Sequence, residues 1–267
     1  MSCTCSKKLL FRSRGFTLLE MSIVLLVLSL MLGGLLAVMT QETRRSKAEE
    51  LKQKMDAIEY ALVSYSKRSD TQRLPCPANP KLALDHADFG YAANPGCTTG
   101  SGSRAIPAEL RDASAAGGTV PVRTLGLPDD YAFDPWGNKF TYLVALNITA
   151  TDVLKSAPVT DNSLPFGVRV FPTNHTGISE SYAALISHGA NGAGAFNRSG
   201  VRKSFATSNT FEEANCGCTG GTVDNFSSTI YFGAFEGQEN DETNQFDDIV
   251  RFYQREFFAL PKDLASQ

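Results

Sequence analysis

The stretch that most limits this chain lies near its start. Residues 16–39 are apolar almost throughout, and Glu20 is the only charged residue among them. As a helix rising about 1.5 Å per residue they span roughly 36 Å, enough for a hydrocarbon core of about 30 Å. A lone carboxylate in such a segment costs on the order of 2.5–3.5 kcal/mol on insertion scales, so Glu20 needs a partner. Lys7, Lys8, Arg12 and Arg14 precede the run with no acidic residue between them. That asymmetry predicts a cytoplasmic N-terminus and a downstream chain on the far side of the membrane. A secretory signal peptide fits poorly, because its apolar core is about 7–15 residues and ends in a small-residue cleavage site. An ordinary signal anchor is the plain alternative.

The basic leader, Gly15, and then Phe16-Thr17-Leu18-Leu19-Glu20 running into an unbroken apolar helix resemble the N-terminal signature of type IV pilin-like proteins, pilins and pseudopilins alike. The resemblance implies a prepilin peptidase that cuts between Gly15 and Phe16 and methylates the new amine of Phe16. It also implies that Glu20 meets the N-terminal amine of a neighbouring subunit during assembly, since opposite charges in a low dielectric attract strongly once brought together. The location implied is a bacterial inner membrane, crossed once, with a periplasmic head. The implied partners are the peptidase, other pilin or pseudopilin subunits, membrane lipid and the platform proteins of a secretion or pilus machine.

The helix should not stop where the apolar run does. Residues 40–70 contain no Gly or Pro, and Ala48, Leu51, Met55, Ile58, Leu62 and Tyr65 repeat at 3-4-3-4-3 spacing. Such a stripe occupies one helical face and needs an apolar surface, most simply a sheet of the same chain. One helix over residues 16–69 is expected, with Gly33-Gly34 as a weak point. Pro75, Pro77 and Pro80 then forbid helix, and residues 75–121, rich in Gly, Pro, Ala, Asn and Ser, read as a long irregular region. Strands are expected at residues 139–146, 166–171, 182–187 and 229–235. The tail at 247–260 reads as either strand or helix. The organisation expected is a leader (1–15), a transmembrane and assembly helix (16–39), its amphipathic extension (40–70) and a globular head (71–267). The fold class is α+β: a long N-terminal helix packed on an antiparallel sheet with long loops, pilin-like in kind.

Six cysteines fall in three neighbourhoods: Cys3 and Cys5, Cys76 and Cys97, Cys216 and Cys218. The last four would face an oxidising space in which disulfides persist, and they allow three pairings. Cys76–Cys97, closing a moderate loop, is preferred. Cys216–Cys218 would be a tight ring, leaving a metal or redox role for that Cys-x-Cys open.

Asp134-Pro135-Trp136-Gly137-Asn138-Lys139-Phe140-Thr141-Tyr142 reads as a turn feeding a strand, with the only tryptophan buried as its anchor. The same residues resemble the head motif of the major pseudopilin of type II secretion systems. In that family a Gly-Ala-Asp segment after a strand joins a later acidic stretch to bind calcium. The matching positions are Asn191, where the aspartate is replaced, and Asp247-Asp248-Ile249. Calcium accepts amide as well as carboxylate oxygen, so Asn191, Asp247 and Asp248 are the candidate ligands. A solvated turn beside an acidic loop is the alternative.

His86, His175 and His188 share no metal-ligand spacing and sit in polar or Gly-rich stretches, and no nucleophile elbow or nucleotide fingerprint is present. The chain is therefore read as a non-enzyme. Its formal charge of −3 argues against a nucleic-acid partner. The reading that results is a structural subunit of a membrane-anchored filament, a type II secretion pseudopilin by preference. A minor type IV pilin serving adhesion, DNA uptake or assembly priming is the alternative, and a monomeric membrane-tethered binding module is the rival from another class.

Overall fold

The computed structural model describes residues 17–68, 70, 72–93, 97, 102–150, 153–156, 167–172, 179–204, 210–216, 229–232 and 247–258. The chain forms two compact units, Met1–Lys47 and Ala48–Gln267. The helix α1 (Leu18–Ser66) contributes its first part to one and its second part to the other.

In the first unit α1 starts on a cap. Glu20 N donates to Thr17 Oγ1 at 3.2 Å, the Thr-x-x-Glu spacing that satisfies an otherwise orphaned amide of the first turn. Leu18, Leu19, Ile23, Leu25, Leu26 and Leu30 are exposed. The helix runs unbroken through Gly33 and Gly34. Each glycine costs about 1 kcal/mol of propensity, yet it keeps its amide and carbonyl for the helical ladder. Side chains of the apolar run are described as far as Met31, and no helix among the described residues is long and apolar enough to cross a membrane.

In the second unit the stripe of α1 becomes core. Leu51, Met55, Ile58, Leu62 and Tyr65 are buried, whereas Ala48 is exposed, so the buried face begins one turn later than the spacing suggested. A single methyl carries little burial drive of its own. Lys54 pins the same face, its Nζ 2.8 Å from Asp130 Oδ2 and donating to Phe133 O at 3.1 Å.

These residues lie on a four-stranded antiparallel sheet ordered β1 (Ala115–Thr119), β2 (Thr141–Ala145), β5 (Ala183–Ser187), β7 (Ile249–Tyr253). The period of two separates its faces. Ala116, Tyr142, Val144, Leu185 and Tyr253 join the α1 core. Ala115, Leu143, Ala184 and Ile186 face the other way, onto Val168 and Val170. Those two valines belong to a second sheet, ordered β4 (Ser179–Ser181), β3 (Val168–Pro172), β6 (Thr229–Phe232), in which β3 and β6 run parallel. This second, mixed sheet was not expected.

Four short α-helices, α2 (Val122–Leu125), α3 (Val153–Ser156), α4 (Thr210–Cys216) and α5 (Arg255–Phe258), and three 3-10 turns, Ala108–Leu110, Asp129–Ala132 and Leu146–Thr149, complete the described elements. The tail is both strand and helix, β7 followed by α5. The region read as irregular contains β1, whose Ala-Ala-Gly-Gly-Thr sequence lacks the usual strand formers. It is held by β2 on one side and by a bridge from Thr119 to Ala78 on the other. A Cβ on Gly118 would stand 2.5 Å from Ala78 O, so the close approach of that chain requires glycine. Cys76 and Cys97 form a disulfide. Cys216 is also disulfide-bonded, which removes its thiol from metal binding. Cys3, Cys5 and Cys218 lie outside the described residues.

Candidate functional site

Gly15 and Phe16 lie outside the described residues, and Glu20 stands exposed in the first turn of α1. A carboxylate there complements the positive end of the helix dipole, and its backbone amide completes the Thr17 cap.

In the head, the Asp134–Asn138 turn is organised by Asp134 rather than by the tryptophan. Trp136 is only half-buried, while Asp134 is 2 % exposed. Asp134 Oδ1 accepts from Trp136 N at 3.0 Å and Asn138 N at 2.8 Å, and Oδ2 accepts from Asn138 Nδ2 and Ser187 Oγ. The correction has a simple cause: a buried carboxylate must be met by donors, and meeting them shapes the loop. Burial raises its pKa, opposed by those hydrogen bonds. Asn138 Nδ2 also donates to Gly189 O at 3.0 Å, which ties this turn to the one after β5.

That second turn meets α4 and the residues leading into β7 in a buried carboxylate cluster. Glu212, Asp247 and Asp248 each offer an oxygen, and these oxygens lie within 4.8 Å of one another. Gly189, at φ +57°, leaves no room for a side chain, because a Cβ would stand 2.4 Å from Asp247 Cγ. Asn191 N donates to Asp247 Oδ2 at 3.0 Å and Asn191 Nδ2 to Glu212 Oε1 at 2.9 Å. Its own Oδ1 accepts from Ala193 N at 2.8 Å. Asn191 therefore orients the carboxylates through its donors, and its side-chain oxygen accepts one bond, from Ala193 N.

Asn215 Nδ2 donates to Asp248 Oδ2 at 2.8 Å. His188, which the sequence left in a Gly-rich loop, is 1 % exposed. Its Nε2 is 2.8 Å from Thr141 Oγ1, and its Nδ1 lies 3.4 Å from Asp248 Oδ1. Sequence reasoning missed Glu212, Asn215 and His188. A signal existed for the first two: they stand three apart on α4, on one helical face.

Burial pushes Glu212 up to about 7, with the charges of Asp248 and Asp247 adding to the effect. Asp247 is raised by burial first and by Asp248 second. Asp247 Oδ1 and Asp248 Oδ1 are buried without a hydrogen-bond partner, and no lysine or arginine pairs with either aspartate among the described residues. Hard carboxylate oxygens, closely grouped and with two of them lacking a donor, fit a hard cation such as calcium. The residues that would hold it are Glu212, Asp247 and Asp248.

A long N-terminal helix followed by a mixed head built on a four-stranded antiparallel sheet defines an α+β protein of pilin-like architecture. Residues 10–36 match the family model described as the prokaryotic N-terminal methylation motif, the prepilin signal of type IV pilin-like proteins. The motif implies a membrane-anchored protein processed by prepilin peptidase and assembled with other pilin-like subunits. No curated protein matches the chain, and neither does any solved structure.

Proposed function

We propose that this chain is a structural subunit of a membrane-anchored, pilin-like filament, cut between Gly15 and Phe16 and methylated on Phe16. The observation that carries the reading is the methylation motif at residues 10–36 leading directly into α1. Residues 16–39 would cross the inner membrane once, with the leader in the cytoplasm and the head outside. Glu20 would set the axial register by meeting the Phe16 amine of the next subunit. Within this class, the Asp134–Tyr142 motif and the acidic cluster favour a pseudopilin of a type II secretion system over a minor type IV pilin or a tethered binding module.

The carboxylate cluster is inferred to hold calcium, whose charge would neutralise carboxylates that otherwise repel one another. Glu212 would approach from α4 while Asp247 and Asp248 approach from the start of β7, with Asn191 and Asn215 aiming them. Such a site would tie the edge strand to the turn after β5.

Intact mass of the protein from its native membrane tests the processing. Loss of residues 1–15 with one added methyl group is expected. A full-length, unmethylated chain in cells with active prepilin peptidase would overturn it. Glu20→Ala separates assembly from anchoring: filament incorporation should fail while membrane insertion survives, and unchanged assembly would sink the register role.

A further inference from the structure

A small pocket, partly open to solvent, lies beside α4 and is lined by Gly117, Lys139, Thr141, Phe196, Arg202 and Asn215 among others. Two cations stand in its wall. Lys139 is 1 % exposed, and its Nζ donates to Pro80 O at 2.8 Å and Leu82 O at 2.6 Å. The same ammonium lies 5.2 Å from the centroid of the Phe89 ring. Arg202 Nε donates to Gly194 O at 2.8 Å, Nη2 donates to Cys216 O, and Nη1 is buried with no acceptor at all. Neither cation forms an ion pair with a carboxylate among the described residues. Glu109, whose charge acts on Arg202, is in contact with Lys81 instead.

The electrostatics follow from burial without a direct ion pair. Burial pulls the Lys139 amine down to about 8 and the Arg202 guanidinium down to about 10. That is the direction for a desolvated cation, opposed in part at Arg202 by the charge of Glu109. Taking an ion out of water costs several kcal/mol after relaxation, and backbone carbonyls offset only part of it. Natural chains bury charge where it is paired or where it serves a ligand. The side of the pocket near Arg202 is built for access: Gly194 and Gly117 carry no side chain, and the guanidinium carbon sits 5.1 Å over the Phe196 ring, which fixes its plane. Asn215, the pocket's amide, turns its Nδ2 to Asp248 and away from competition.

We propose that this pocket binds a small oxyanion, a carboxylate or a sulfate-like group, through Arg202 and Lys139. Arginine's planar fork matches such a group in a way that an ammonium alone does not. The inference is independent of the filament reading, because it concerns the head alone.

The test uses the whole processed protein in detergent at fixed calcium and fixed ionic strength, with sodium sulfate or sodium acetate replacing chloride. A saturable rise in melting temperature at low millimolar anion is expected, lost in Arg202→Gln and reduced in Lys139→Met. A non-saturating rise of equal size in wild type and Arg202→Gln would report only exclusion of salt from the surface, and would overturn the site. Should Arg202→Gln not fold, phenylglyoxal labelling of the wild type decides the matter by peptide mass mapping. Sulfate and acetate should protect Arg202 where chloride does not, and equal labelling in all three salts would refute the proposal. Acetate protecting as well as sulfate assigns the pocket to carboxylates, including one carried by a peptide; protection by sulfate alone assigns it to tetrahedral anions.

Discussion

Replacing Glu212 by Gln should change the head's stability with opposite sign in the absence and presence of calcium. The substitution keeps shape, and the Gln Oε1 can still accept from Asn191 Nδ2, as Glu212 Oε1 now does. Glu212 is held at about 7 by burial, against about 4.3 for an unperturbed Glu, so at about 1.4 kcal/mol per unit its ionisation in the folded head costs on the order of 4 kcal/mol. Because the folded pKa lies above the unfolded one, this carboxyl's contribution to stability is complete below the unfolded value. It is lost as pH rises towards 7. Calcium-free wild type should therefore weaken across that window, and the Gln variant should lack that part of the slope.

Near a pH of about 8 without calcium, the variant should melt several degrees higher, since each kcal/mol moves Tm by about 2–4 °C in a domain of this size. With saturating calcium the order should reverse, because one of three carboxylate ligands has gone. The assay is thermal denaturation by circular dichroism in chelator and in calcium, from acid to neutral pH. A variant less stable than wild type in chelator, or one indifferent to calcium when wild type responds, would refute the reasoning.

Ile58, fully buried between α1 and the sheet, should cost about 2–5 kcal/mol when cut to Ala, read as a lowered denaturation midpoint with an unchanged slope. Gly118→Ala forces a methyl against Ala78 O and should destabilise the head by about 1–3 kcal/mol, with the amides of β1 losing hydrogen-exchange protection first. Reducing the Cys76–Cys97 link, which spans 21 residues, should lower stability by about 3 kcal/mol if loop entropy dominates, measured by denaturant unfolding with and without reductant.

Much of the scaffold was legible because it follows from period and composition. The 3-4 spacing of Leu51 to Tyr65 located the buried face of α1, and strand-forming residues located β2 and β5 to within a residue or two. β1 was not legible. Its alanines and glycines have no strand preference, and what makes them a strand is the backbone of Ala78 and β2 on either side. The cluster was half legible: Asp247 and Asp248 stood out as an acidic pair, whereas Glu212 and Asn215 gave only a spacing of three within a seven-residue helix, a weak sign of burial. The loop position of His188 was read correctly, but its burial was not legible, since a glycine-rich neighbourhood says loop but not depth. The tryptophan drew attention by its size, yet the hydrogen bonds to Asp134 organise the turn.

The order of the four-stranded sheet has a consequence for when this protein can fold. β5 is an inner strand, and one of its two neighbours is β7, built from residues 249–253 of a 267-residue chain. A chain made from its N-terminus presents the apolar stripe of α1 long before the strand that completes the layer beneath it exists. A product ending short of Asp247 would lack that strand, the two aspartates that precede it and the Tyr253 ring that closes over the core. It would carry a bare edge at β5, the kind of surface that invites pairing or proteolysis. The head's sheet is therefore complete only once residues 249–253 have been made.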